Sequence, residues 1–229
     1  MSHSTDHHTN PGPGATLFIA ASETDSNLYY ATKFIAPDPF IYLEIKGERL
    51  MIMSDLEVDR ARHQATVDRV VSYSELERRA KSQGVKDPGN IDVIHLVLQD
   101  AGVHEILVPP TFPFLHAQRL QEIGYRLSTK RDPFYERRVM KSDEEVRHIE
   151  AAQRATETAV AAAHESLRRA EIRENVLWLD GAVLTSERVK KLINVALMEC
   201  GCVAQHTIVA GGEQACDPHD EGSGPLPAH

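Results

Sequence analysis

Residues 207–229 read TIVAGGEQACDPHDEGSGPLPAH. A short β-like run, Thr207 to Ala210, feeds a glycine-rich polar loop carrying Asp217, His219, Asp220 and Glu221. Those four side chains fall within residues 217–221 and are all of types that bind metals or move protons. A catalytic metal needs about three protein ligands with fixed directions. A cluster this tight in sequence cannot easily aim all its members at one point, so a solvated loop is the better reading of the group as a whole. Gly222 and Gly224 let the backbone turn sharply. No strand or helix follows the loop, which suggests a chain cut short.

Working back from the loop, Thr185 opens a capped helix that runs to Glu199, with Val189, Leu192, Ile193, Ala196 and Leu197 on its buried face. Upstream, Lys141-Ser-Asp-Glu-Glu-Val-Arg-His-Ile-Glu150 starts a longer helix. Ser142 and Glu145 have the spacing of a capping box, and Asp143 and Glu144 favour the positive helix end. Val146, Ile149, Gln153, Thr156, Val160 and Leu167 share one semi-apolar face, with alanines interleaved. Two helices and one strand thus present buried faces, and no sheet is legible between them to be covered. Trp178, in Val176-Leu-Trp-Leu179, reads as a core or interface anchor.

The first half of the chain alternates short apolar runs with helical periods, the pattern of a mixed α/β layer domain. Thr16–Ala21 reads as a buried strand, and Leu28–Phe34 as helix or strand. Phe40–Ile45 and Arg49–Ser54 form a hairpin about Gly47. A short helix is expected over Asp55–His63 and a strand over Val67–Ser72. Helices follow over Tyr73–Ser82 and Ile91–Gly102, then a strand over Glu105–Val108. A helix over Phe114–Ile123 and a strand from Tyr125 complete the domain. Lys130–Arg138 is charged, contains proline, and reads as a linker.

Three stretches resemble the pita-bread metallopeptidases, the family of Xaa-Pro aminopeptidases, prolidases and creatinase. They are the loop at 207–226, the helix start at Lys141–Glu150, and residues 15 to 136, which match the creatinase-type N-terminal domain in length and element order. The resemblance implies an α/β fold in which a creatinase-type N-terminal domain, a mixed sheet flanked by helices, precedes an incomplete α+β pita-bread catalytic domain. The expected divisions are a tail at 1–14, the first domain at 15–136 and the second at 137–229. The implied chemistry is hydrolysis of the peptide bond preceding proline by a dinuclear centre of divalent metals such as manganese, cobalt or zinc. The family's metal ligands, two Asp, one His and two Glu, lie beyond the segment that matches this loop, so none is assigned here and the chain as it stands is expected to be inactive. His219 matches the family's loop histidine, which contacts the substrate or the reacting oxyanion. Proline-containing peptides are the implied partners, and a homodimer through the N-terminal domain is implied as well. Two other readings remain: a non-catalytic binding or oligomerisation module derived from the same family, and creatinase-like chemistry in a longer relative.

Composition limits the alternatives. The 229 residues carry 34 acidic and 25 basic side chains, for a net charge of −9, and 41% are hydrophobic. That balance opposes a nucleic-acid footprint, which would show as a basic patch, and it does not favour anionic membranes. No apolar run approaches the roughly 20 residues of a membrane span, and the N-terminus lacks a signal-peptide pattern. Cys200, Cys202 and Cys216 are an odd number of cysteines with no secretory signal, which fits a reducing compartment. A cytoplasmic location is the expectation. Cys200-Gly-Cys202 reads as ordinary packing at a helix end. His3, His7 and His8 sit in a polar tail read as disordered. His95, His116, His148 and His164 occupy helical positions and read as surface or half-buried residues, and Tyr29 and Tyr30 read as packing. His206 precedes the terminal run and could approach the loop. Nucleophile elbow, P-loop and dinucleotide fingerprints are all absent from the sequence.

Overall fold

The computed structural model describes residues 14–228. The tail histidines His3, His7 and His8, and the terminal His229, lie outside the described residues. The chain divides between Val139 and Met140 into two compact units.

The first unit is built on β1 (Ala15–Ala20), β2 (Phe40–Ile45), β3 (Glu48–Met53), β4 (Arg69–Ser72), β5 (Glu105–Val108) and β6 (Arg126–Thr129). They form one sheet in the order β4-β3-β2-β1-β5-β6. Strand β2 runs antiparallel to β1 and β3, while β3 pairs β4, β1 pairs β5 and β5 pairs β6 in parallel. The β2–β3 link is Lys46-Gly47, with φ of 51° and 86°. Two consecutive left-handed residues match the right-handed twist of a hairpin, and glycine adopts the second conformation without strain.

Alternation along the central strands creates two cores. Leu17, Ile41, Leu43, Leu50 and Ile52 point to one face, where residues of α3 (Tyr73–Ser82), α4 (Asn90–Ala101) and α5 (Phe114–Glu122) pack on them. Phe18, Tyr42, Met51 and Met53 point to the other, against α1 (Ser26–Thr32) and α2 (Val58–Gln64). A period of two in side-chain direction lets strands that are apolar on both sides bury both faces.

Local chemistry settles several points that the sequence leaves open. Of Leu28–Phe34, the part up to Thr32 is helix, which Asp25 caps, its carboxylate accepting from the N–H groups of Asn27 and Leu28 at 2.9 Å each. The helix expected from Asp55 begins instead at Val58 and has no side-chain cap. Asp55 is engaged elsewhere, accepting from the Ser72 hydroxyl across the sheet end. The stretch Lys130–Arg138 is not a free linker. Phe134 is buried in the first unit, its ring edge-on to Phe18 at 4.9 Å, and the Asp132 carboxylate accepts from Phe134 N–H and from the Asn27 amide.

The second unit opens with α6 (Asp143–Arg169), capped by Ser142 and Glu145 as the spacing predicts. It continues with β7 (Glu171–Arg173), β8 (Val176–Leu179), β9 (Ala182–Val183) and α7 (Ser186–Glu199). The three strands form an antiparallel meander, which corrects the expectation that no sheet accompanies these helices. Its links, Glu174-Asn175 and Asp180-Gly181, all have positive φ. Asp-Gly is a strong short-range hairpin signal, but strands this short are masked by the charged residues around them.

The buried face of α6 also differs from expectation. Ala155, Ala159, Ala163 and Ser166 are buried, while Val146, Ile149, Val160 and Leu167 are exposed. Small residues allow close helix packing, and the alanine stripe takes the internal position while the larger apolar ridge beside it stays in water. On α7, Val189 is buried as expected but Leu192 is 40% exposed. The core of this unit comprises Ala163, Leu179, Leu184, Val189 and Leu226.

Candidate functional site

The expected strand at Thr207–Ala210 is not one. The segment has no ladder partner, and its link to the returning chain is a single bond from Val209 N–H to Glu221 O at 2.9 Å. A β-like composition needs a neighbouring strand before it becomes a strand. The sequence then makes a short 3-10 turn, Gly212–Cys216, and enters the polar loop.

Two carboxylates shape that loop from within. Asp217 Oδ1 accepts from the His219 N–H at 2.9 Å, and Asp220 Oδ1 accepts from the Gly222 N–H at 2.8 Å. These are consecutive Asx turns, in which a short acidic side chain stands in for a backbone acceptor two residues back. Gly222 is the closest crossing point. It is buried at φ 79°, and a Cβ there would lie 1.9 Å from the carbonyl oxygen of Val209. No other residue fits without moving the backbone. The Gln214 side chain ties both sides of Ser223, donating to its hydroxyl at 3.2 Å and accepting from its N–H at 3.1 Å.

After the loop the chain returns along the meander. Leu226 N–H donates to Leu184 O and Leu177 N–H donates to Leu226 O, each at 3.0 Å. Isolated bridges join Val176 to Pro227 and Thr185 to Pro225. The apolar part of the terminal stretch is therefore anchored, with Leu226 only 6% exposed.

His219 itself is exposed on this tethered loop. Glu221 meets His206, its Oε1 lying 3.2 Å from His206 Nδ1, so that His206 does approach the loop, from the side of the Thr207 run. The four ligand-type residues do not converge. Asp217 and Asp220 each direct an oxygen at a local amide, and among the described residues no group of three or more His, Cys, Asp or Glu could hold a metal ion. The donor set present does not fit a dinuclear metal centre, and no chemical step is derived through one.

The remaining singled-out residues have structural surroundings. His95 Nδ1 lies 2.9 Å from the Tyr125 hydroxyl, and burial pushes that phenol up from its ordinary range. His116 Nε2 accepts from the Asn90 amide at 3.2 Å, and desolvation lowers its pKa. His148 and His164 are exposed. The Lys33 ammonium lies 4.7 Å from the Tyr30 ring centroid and 5.8 Å from that of Tyr29. Trp178 is half-buried with the Arg173 guanidinium 5.3 Å from its ring centroid. Cys200, Cys202 and Cys216 are free thiols. Residues that the sequence did not single out do much of the holding. Glu187, Lys190 and Asn194 of α7 all bond to the limbs of the loop.

No protein-family model and no curated protein sequence matches the chain. Solved structures do. The Xaa-Pro dipeptidase from Bacillus anthracis superposes with a TM-score of 0.70 at 17% identity, over 94% of this chain and 54% of that one. The X-Pro aminopeptidase from Thermotoga maritima MSB8 gives 0.68 at 20% identity, over 94% and 56%. The prolidase from Pyrococcus furiosus gives 0.67 at 16% identity, over 94% and 58%. The fold is that of the Xaa-Pro peptidases. The mixed α/β architecture and the family resemblance read from the loop and the helix start are both borne out at the level of fold. The chain spans a little over half the length of each of these Xaa-Pro peptidase structures. No helix among the described residues is long and apolar enough to cross a membrane.

Proposed function

We propose that this chain is part of a cytoplasmic Xaa-Pro aminopeptidase or dipeptidase, a hydrolase of the peptide bond preceding proline. The observation that supports it is the shared fold over 94% of the chain with the prolidase of Pyrococcus furiosus and its like. In this reading residues 15–136 are the N-terminal domain that shapes the cleft and joins two copies. Residues 137–229 begin the catalytic domain. The two divalent metals would be held by residues outside this sequence, and the apolar ridge of α6 is the face that further chain would cover. His219 supplies an imidazole N–H to the substrate carbonyl oxygen as negative charge builds there. A fixed donor at that point acts only when the charge develops, which is what accelerates the step.

The purified 229-residue chain is expected to show no hydrolysis of Xaa-Pro dipeptides with added manganese, cobalt or zinc. Metal-dependent turnover by that chain would overturn the assignment of the metal ligands to residues outside it. The DNA beyond the His229 codon, read in all three frames, tests the rest. An Asp-containing apolar strand followed by His and Glu segments supports the peptidase, and expression of that longer product should restore turnover. The second reading is a non-catalytic binding or oligomerisation module derived from the same family. It predicts no such downstream segments.

A further inference from the structure

A polar face of α7 reaches both limbs of the His219 loop. Glu187, Lys190 and Asn194 are three and four residues apart, so they stand one above another on the same side of the helix. Glu187 Oε1 accepts from the Gly224 N–H at 2.9 Å. Lys190 Nζ donates to the Gly222 carbonyl at 2.9 Å. Asn194 Oδ1 accepts from the Thr207 hydroxyl at 2.7 Å. The first two contacts grip the outgoing limb, and the third grips the incoming one. The Ser186 N–H adds a fourth bond, to the Gly224 carbonyl at 2.9 Å.

These contacts add to the Gln214–Ser223 tie and to the anchored return of the chain at Pro225–Pro227. The limbs share one backbone hydrogen bond, Val209 N–H to Glu221 O, and a pair of strands is not held in register by one rung. Gly222 sets how near the limbs can come, since its missing Cβ leaves room for the Val209 carbonyl. Bonds to charged groups are stronger than neutral ones, and two of the α7 contacts are of that kind. The Glu187 carboxyl is held below its ordinary range by the Gly224 amide first and the Thr185 hydroxyl second, as befits a carboxylate serving as an acceptor.

We infer that Glu187, Lys190 and Asn194 are positioning residues that set the place of His219 relative to the rest of the second unit. The functional meaning of this clamp rests on the reading of His219 as a substrate-facing donor, but the clamp itself is measured without any turnover. The measurement is nuclear magnetic resonance on the isotope-labelled 229-residue chain, following amide exchange at Gly224 and the His219 ring Cε1–H shift. The Leu184 amide, bonded to Leu177 O at 2.7 Å in the meander, is the internal control. In Glu187→Ala, Gly224 exchange is expected to rise about tenfold, the magnitude of one charge-assisted bond at a partly exposed site. The His219 ring signal should move with it while Leu184 stays protected. Glu187→Gln keeps an acceptor oxygen and should recover most of the protection. Lys190→Met should shift the same ring signal with less effect on Gly224.

Unchanged Gly224 exchange in Glu187→Ala, or an unmoved His219 signal in both Glu187→Ala and Lys190→Met, overturns the clamp. Loss of Leu184 protection together with Gly224 in both Glu187→Ala and Glu187→Gln also overturns it, because the side chain would then be serving overall stability. A longer product that lacks peptidase activity would remove the catalytic reading and leave the clamp standing.

Discussion

The first unit covers a six-stranded sheet on both faces, while the second rests on a five-residue core of Ala163, Leu179, Leu184, Val189 and Leu226. In the first, strands with apolar side chains on both sides leave Leu17, Phe18, Tyr42 and Met51 with essentially no exposure. In the second, the two long helices bury alanines, serines and Val189 and keep other large groups in water, among them Ile149, Val195 and Met198. Burial stabilises in proportion to the apolar area removed from water, so the large side chains contribute in the first unit and much less in the second. The second unit makes up part of the difference with specific polar contacts: the Ser142–Glu145 capping box, the Arg188 guanidinium bonded to the carbonyls of Leu179, Ala182 and Val183, and the α7 contacts to the loop.

The two regions can be watched separately. All six tyrosines lie in residues 1–139, and the single tryptophan, Trp178, lies in residues 140–229. The largest effect is expected from Phe18→Ala. That ring is fully buried among Tyr42, Phe134 and Tyr135, and its removal should lower the tyrosine-reported urea transition by about 4 kcal/mol. Leu184→Ala should lower the tryptophan-reported transition by about 3 kcal/mol, the smaller core having fewer neighbours to lose. Equal losses at the two sites would erase the contrast.

Acid sharpens the comparison in another way. Asp55, Asp68, Asp100 and Asp132 in the first unit are held below the ordinary aspartate range. Their leading causes are, in that order, the Ser72 hydroxyl, the Arg49 backbone N–H, the Arg79 guanidinium and the Asn27 amide. In the second unit Glu187 is held below its ordinary range in the same way. A carboxyl whose folded pKa is depressed contributes stability above its unfolded value, about 4, and loses it as pH falls through the folded value. The tyrosine-reported transition should therefore weaken between about pH 4 and pH 2. A tyrosine-reported transition unchanged over that range would contradict this. All these carboxylates are largely exposed, so salt should reduce the effect.

The smallest effect belongs to the exposed ridge. Ile149→Lys should change the stability of the 229-residue chain by no more than about 0.5 kcal/mol, because Ile149 is 55% exposed. A loss of several kcal/mol would mean that the ridge is covered in solution, and sedimentation at rising protein concentration would then reveal by what.

The sequence alone determined every element whose signal is local. Strands β1, β2, β3 and β5 and helices α3, α4 and α5 could be read from periodicity and glycine placement. The Ser142/Glu145 capping box and the capping residue Thr185 placed the starts of α6 and α7. Hydrophobic period and cap chemistry act within a few residues, so a linear string contains them. The resemblance of the 207–226 loop and of the helix start at Lys141 pointed to the fold that the solved Xaa-Pro peptidases share.

Only the tertiary structure decided which face of α6 is internal, because Ala155–Ala163 and Val146–Leu167 are both plausible stripes and choosing between them depends on α7. It also decided that Thr207–Ala210 is not a strand, since a strand exists only with a partner. The grip of Glu187, Lys190 and Asn194 on the loop arises from contacts between residues distant in sequence. Such contacts leave no periodic trace, and the side chains that make them look like any solvated helix face until the fold brings the loop against them.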